Sequence, residues 1–341
     1  MKEFEKKRLW IFIAVAYGVT ALMSIFMFIG YRKEYDLTTL VNTHMMYPAC
    51  GVILGKLIVK KDDEKLPVGG YITILITTGI MILFSICSVL FETNLNLPVL
   101  NLSIWDLGSQ IVLLIGSIVA YILFWTCGKE KRQNAGLLHV NMGKSAVMIV
   151  LFVFLYFSRL LLSVLVSGIS SEESTITMGM MKTAITNPRT LILLIVLIPN
   201  FILVFIAFFG EEYGWRYYFQ PLLQERFGLR NGVIILGLLW GLWHFDVDMM
   251  YYTKTTGPQM FVSQLITCIT VGIFFGYAYM KTQNIWVPVI MHYLNNNLLA
   301  VLAGGDTSIL QNQVINWKDI PLFFVIALVY AVFIFAPIYS E

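Results

Sequence analysis

The stretch FFGEEYGWRYYFQ, residues 208–220, sets Glu211 and Glu212 beside Arg216 directly after a long apolar run. In a helix Glu212 and Arg216 are four apart and share a face, so they can pair, while Glu211 is turned by about 100° from its neighbour. The spacing therefore predicts one neutralised acid and one left outside the pair, a group suited to proton transfer. The plain alternative is a helix end at the aqueous interface, with Trp215, Tyr217 and Tyr218 as an aromatic belt. Further on, WGLWHFDVD carries His244, and VPVIMHYLNNNLLA carries His292 and Asn296 four apart on one helix face. His244 falls roughly 20 Å into its apolar run at 1.5 Å per residue, which places it inside a membrane. As a lone side chain it could equally be a hydrogen-bonded core histidine. Asp248 lies one turn beyond it and could orient the imidazole, but a position in water at the outer surface is the better expectation. Asn295, Asn296 and Asn297 in sequence are costly within a span unless they meet partners, either one another across helices or a site.

The elements that must hold these groups follow from composition. Of 341 residues 58% are hydrophobic and 13% charged, too apolar for a soluble chain to cover its core. Apolar windows of about 20 residues, the length that crosses the hydrocarbon as a helix, recur throughout. Ten are expected, near 9–30, 40–59, 71–91, 105–126, 146–167, 190–212, 232–248, 259–280, 284–303 and 320–339, of which the second, seventh and ninth are the weakest. The basic start MKEFEKKRLW resembles a signal peptide, but its apolar run is too long and no small-residue cleavage site follows, so it is read as the first span. With the N-terminus cytoplasmic, sixteen of the 23 basic residues fall on the inner side and six outside, which supports ten spans with both termini inside. The remaining one, Arg159, is in mid-span. The net charge of +3 reflects this bias and points to no nucleic acid. The four cysteines lack C-x-x-C spacing and read as buried free thiols.

No linker, repeat or low-complexity tract divides the chain. The halves nevertheless differ, because Arg159, Glu211, Glu212, His244, Asp246, Asp248 and His292 all lie in the second. Ionisable groups cost roughly 2.5–3.5 kcal/mol each at a helix centre, so function is expected there. Residues 1–145 are accordingly read as N-terminal helices of unassigned role, 146–303 as the core that carries the chemistry, and 304–341 as a C-terminal helix. Both histidine helices enter from the inner side and Glu211 is expected at an inner helix end, so the three groups are expected to meet in the cytoplasmic half.

In this order, each on its own span, EEYGWR as E-E-x-x-x-R, WGLWH as an aromatic residue four before histidine, and HYLNN as H-x-x-x-N resemble the CPBP family. That family comprises CAAX prenyl endopeptidases of the second type and bacterial relatives linked to bacteriocin processing and immunity, also called Abi. The resemblance covers Leu191 to Ala300; Trp240 stands where Phe is usual, a conservative change, and the first four spans and the tenth draw nothing from it. It implies an all-helical intramembrane endopeptidase, in a bacterial cell membrane, acting on a membrane-associated peptide of prenylated CAAX or bacteriocin-leader type. Glu211 then suits a general base, His244 a group that positions the water or shares its proton, and His292 with Asn296 the oxyanion donors. Glu212 and Arg216 become a structural pair. The same Glu211, His244 and His292 could instead ligate zinc, although no H-E-x-x-H is present and the metal-free mechanism is preferred. Arg159 could receive a substrate carboxylate or pair with Glu211 or Glu212, the pairing being favoured. A bacteriocin-immunity factor or peptide-binding scaffold without proteolysis is the alternative from another class, and a transporter comes third. Serine and aspartyl intramembrane protease motifs are missing, since AGGD at 303–306 falls at the outer end of a span.

Overall fold

A computed structural model describes residues 2–91, 94–96, 101–167 and 172–340. The helices are α1 (Glu3–Arg32), α2 (Thr38–His44), α3 (Tyr47–Ile58), α4 (Val68–Leu90), α5 (Ile104–Thr126), α6 (Lys129–Asn134), α7 (Met142–Ser167), α8 (Glu172–Thr186) and α9 (Pro188–Glu212). They continue as α10 (Gln220–Phe227), α11 (Leu229–Trp243), α12 (Phe245–Met250), α13 (Gly257–Thr282), α14 (Trp286–Leu302) and α15 (Ile320–Ala331). Among the described residues the one exception to helix and turn is an antiparallel pair, β1 (Asn94–Asn96) with β2 (Asn101–Ser103).

The fold is that of an integral, multi-pass membrane protein. Seven helices are long and apolar enough to cross: Glu3–Arg32, Val68–Leu90, Ile104–Thr126, Met142–Ser167, Pro188–Phe227, Gly257–Thr282 and Trp317–Phe335. The second, seventh and ninth expected spans are shorter apolar helices. The second is broken at Met45 and Met46 into α2 and α3, with a proline opening α3. The seventh is the 15 residues of α11, and the ninth the 17 of α14.

The chain forms two compact units, Met1–His139 with Ile202–Tyr218, and Val140–Phe201 with Phe219–Glu341. In the first, the end of α9 lies across the break between α2 and α3. Gly210 and Gly214, four apart on one face, allow it: a Cβ on Gly210 would meet the Met45 carbonyl, and one on Gly214 would meet Pro48. Beside this contact Glu64 accepts from Arg8 Nη2 at 2.6 Å and from Lys56 Nζ at 2.9 Å. Lys56 also donates to the Tyr217 hydroxyl at 3.0 Å, and Arg8 to the Val59 carbonyl, satisfying the end of α3. Burial pushes the Glu64 carboxyl up, but the hydrogen bonds and charges of Arg8 and Lys56 outweigh it and hold the group below the ordinary carboxylate value.

In the second unit α11 packs along α13. Gly237 and Gly241 make that approach possible, since a Cβ on the first would press on the backbone of Ile269 and one on the second on Leu265. Rings of three helices join α7, α13 and α15: Phe152 stacks on Phe274 and on Tyr330, with centroids 6.2 and 6.0 Å apart. The turn between α13 and α14 is tied to the start of α7 by Asn284, which donates to the Val140 carbonyl and to Ser145. The Tyr293 hydroxyl donates to the Leu197 carbonyl at 2.9 Å and accepts from Asn200 at 3.0 Å, so α14 is fastened to the first half of α9.

Candidate active site

The helix that carries the acids does not end at them. After α9 the backbone passes into a π-turn over Tyr213–Phe219 and then into α10, so Glu211 and Glu212 are interior residues of one long helix. This corrects the expected helix end, and the burial speaks against the alternative of a solvated one: Glu211 is 2% exposed and Glu212 and Arg216 are 0% exposed. The π-turn inserts one residue per turn, a local distortion found often at functional sites. Phe209, Tyr213 and Tyr217 stack in sequence along it, with centroids 4.6 and 4.5 Å apart.

Across the turn Arg216 Nε lies 3.2 Å from Glu212 Oε2, and Arg216 Nη1 donates to Glu212 Oε1 at 3.3 Å. Taking two charges out of water costs several kcal/mol each, on the order of what their attraction returns, so the pair holds geometry more than it stabilises. Glu211 stands outside this pair, but it is not the free acid that the spacing suggests, because it has interactions of its own in the fold.

The second unit brings His244, His292 and Asn296 to the wall of one cavity of about 250 Å³. His244 is where α11 stops: it caps that helix and opens α12, with φ −81° and ψ 0°. Its Nδ1 is 2.9 Å from the Trp240 carbonyl. A carbonyl only accepts, so Nδ1 carries the proton and Nε2 is the basic nitrogen of the neutral ring. The Trp240 indole packs against both imidazoles, edge-on to His244 at 5.6 Å and to His292 at 5.7 Å between centroids. The tryptophan of the second motif thus sets one histidine's tautomer and contacts both rings. Asn296 accepts through Oδ1 from Asn295 Nδ2 at 3.1 Å, which orients its amide so that the NH₂ is the donor left to the cavity. Asn297 turns away and donates to the Tyr293 carbonyl at 2.8 Å.

Two expectations change here. Asp248 neither orients His244 nor sits in water: it is fully buried, and its carboxylate oxygens have no hydrogen-bond partner among the described residues. Arg159, expected to pair with Glu211 or Glu212, lines the cavity in the other unit, and among the described residues no carboxylate lies within ion-pair distance of it.

The opposite wall, which the motifs did not indicate, is α13 with Ser263, Gln264, Thr267 and Cys268. Its signal is present in the sequence as small and polar residues at helical spacing within an apolar span, SQLITC. Cys268 Sγ lies 3.8 Å from His244 Nδ1, and all four cysteines are free thiols. Catalytic zinc requires three protein ligands and an open position. Among the described residues no three His, Cys, Asp or Glu side chains are gathered to hold a metal.

Residues 190–298, the stretch that holds all three motifs, match the family described as type II CAAX prenyl endopeptidase Rce1-like, the endopeptidases that the motifs resemble. The chain is also similar to CAAX prenyl protease 2 of Methanococcus maripaludis, 29% identical over 127 residues, which are 35% of this chain and 46% of that protein. The match thus spans about half of the curated relative. No solved structure matches.

Proposed function

We propose, from the premise that residues 190–298 match the type II CAAX prenyl endopeptidases, that this chain is an intramembrane endopeptidase hydrolysing a membrane-associated peptide, foremost a prenylated CAAX-type one. The observation that carries the reading is the cavity where two buried imidazoles and an oriented asparagine amide converge. These are the groups that hydrolysis of an amide needs beside a base: a neutral imidazole to hold water, and donors for the tetrahedral oxyanion.

In this mechanism Glu211 takes a proton from the attacking water. Neutral His244, its Nδ1–H tied to the Trp240 carbonyl, accepts a hydrogen bond from that water through Nε2. His292 and Asn296 donate to the oxygen on which negative charge develops. The proton held by Glu211 then passes to the leaving amine, and a carboxylic acid and an amine are released. Glu212 and Arg216 keep the π-turn in register without touching the substrate. Bacteriocin-leader peptides are the second substrate class.

The test uses the full-length protein in lipid nanodiscs with an S-farnesyl-Cys-Val-Val-Met peptide, and mass spectrometry of the products. Glu211→Gln and His244→Ala should each lower turnover by about 10²–10⁴-fold while the protein remains folded. Full turnover in either variant would overturn the assignment. Stoichiometric zinc in the purified protein with chelator-sensitive turnover would replace the metal-free mechanism. A non-proteolytic scaffold predicts instead that Glu211→Gln, nearly isosteric, keeps the cellular phenotype. Comparing membrane-associated peptides of cells carrying either form then identifies the physiological substrate.

A further inference from the structure

Among the described residues Arg159 is the one lining residue of the cavity with a fixed charge, and no Asp, Glu or Lys shares the wall. It projects from α7 about 25 Å along the helix from Met142, deep in a span where a cation without a counter-ion is costly. Among the described residues no carboxylate pairs with it. Beside the two imidazoles, the polar lining includes Ser263, Gln264, Thr267 and Asn295, uncharged groups that can donate hydrogen bonds without neutralising a bound anion. One guanidinium, neutral donors and apolar walls form a receptor for a single negative charge at the end of an apolar ligand.

We propose that Arg159 binds the C-terminal α-carboxylate of the peptide substrate and thereby limits cleavage to bonds a few residues from a free chain end. The size of the cavity carries the second half of this. At about 250 Å³ it is just under the roughly 300–1,000 Å³ of pockets that enclose drug-sized ligands, so it takes a short chain end and not a folded segment. Arg159, His244 and Asn296 share that space, so a carboxylate held by the first leaves only a few residues before the atoms assigned to hydrolysis. The fork of the guanidinium matches a carboxylate through two parallel hydrogen bonds, which lysine reproduces only in charge. This inference rests on the proposed peptidase reading, and it makes the enzyme a reader of chain ends.

The test measures binding separately from cleavage. The Glu211→Gln protein, in phosphatidylcholine nanodiscs, is titrated with dansylated S-farnesyl-Cys-Val-Val-Met as the free acid and as the C-terminal carboxamide. The free acid should bind about tenfold or more tightly, the range of a hydrogen bond to a charged group. Adding Arg159→Gln should bring the acid down to the affinity of the amide and leave the amide unchanged, while Arg159→Lys should keep part of the preference. Equal binding of acid and amide by the protein with Arg159 intact would overturn the proposal, whatever the variants do. So would a preference that survives Arg159→Gln, or acid and amide affinities that both follow added phosphatidylglycerol, which would assign the cation to a lipid headgroup. Failure of the wild type to cut either peptide would sink the peptidase reading and leave the binding comparison to decide this one.

Discussion

At the scale of single residues, the chain separates charges by what they meet. Glu212 and Arg216 are both fully buried, and removing one takes away the ion pair that offsets the other's burial. Arg216→Met should therefore destabilise by roughly 3–5 kcal/mol, and the double change Glu212→Leu with Arg216→Met should recover most of it. Denaturation midpoints of the three proteins measure this, and a harmless Arg216→Met would show that the pair contributes no constraint. Asn296 is assigned by orientation: with Oδ1 engaged by Asn295, its NH₂ is the cavity donor. Asn296→Leu should lower turnover by about 10²–10³-fold with little change in unfolding. Glu64 gives a pH dependence. Its carboxyl is held below the ordinary value of 4.5, so it protonates at lower pH in the folded than in the unfolded chain. Its contribution is complete above that value and is lost as pH falls through the folded one, and Glu64→Gln should flatten the acid limb of the stability curve.

At the scale of elements, glycines decide which helices touch. Gly237 and Gly241 let α11 lie on α13, and α11 ends at His244, so the seating of that pair places the histidine. Gly241→Leu should cost about 1–3 kcal/mol through overpacking and reduce cleavage further than the lost stability explains, because the imidazole moves with the helix end. Activity and unfolding of Gly241→Ala and Gly241→Leu, compared at one temperature, test this; unchanged activity in the leucine variant would break the link between packing and site. Much of this scale was legible in sequence. The apolar windows located the helices, and the second, seventh and ninth, the weakest in hydropathy, are the three that fall short of a full span. What was not legible is the π-turn at Tyr213–Phe219. An apolar run followed by charges has the pattern of a helix leaving the membrane, whereas here the helix continues because its acids find burial and partners.

At the scale of the whole molecule, the bias of basic residues implies an even number of crossings, with both termini in the cytoplasm. Alkaline phosphatase fused after residue 131 or at the C-terminus should be inactive, and fused after residue 182 active. Activity at residue 131 would overturn the assignment of sides. The chain is interleaved, its first compact unit taking Ile202–Tyr218 back from the middle of the second half. The acids of the first motif belong to that returning segment, while both histidines, Asn296 and Arg159 belong to the other unit.

Composition alone determined that the chain is a helical, multi-pass membrane protein, because apolar windows of span length leave no other way to satisfy the backbone. Residue types in order also carried the resemblance to the type II CAAX prenyl endopeptidases that residues 190–298 match, since three motifs at fixed spacing survive without any knowledge of packing. Only the tertiary structure decided what each polar group does within those limits. The Trp240 carbonyl sets the tautomer of His244, Asp248 is buried outside the cavity lining, and Arg159 lines a cavity with no acid among its described lining residues. Spacing along one helix gives the face on which a side chain lies, but its partner comes from another helix, and close approach, not sequence separation, selects that partner.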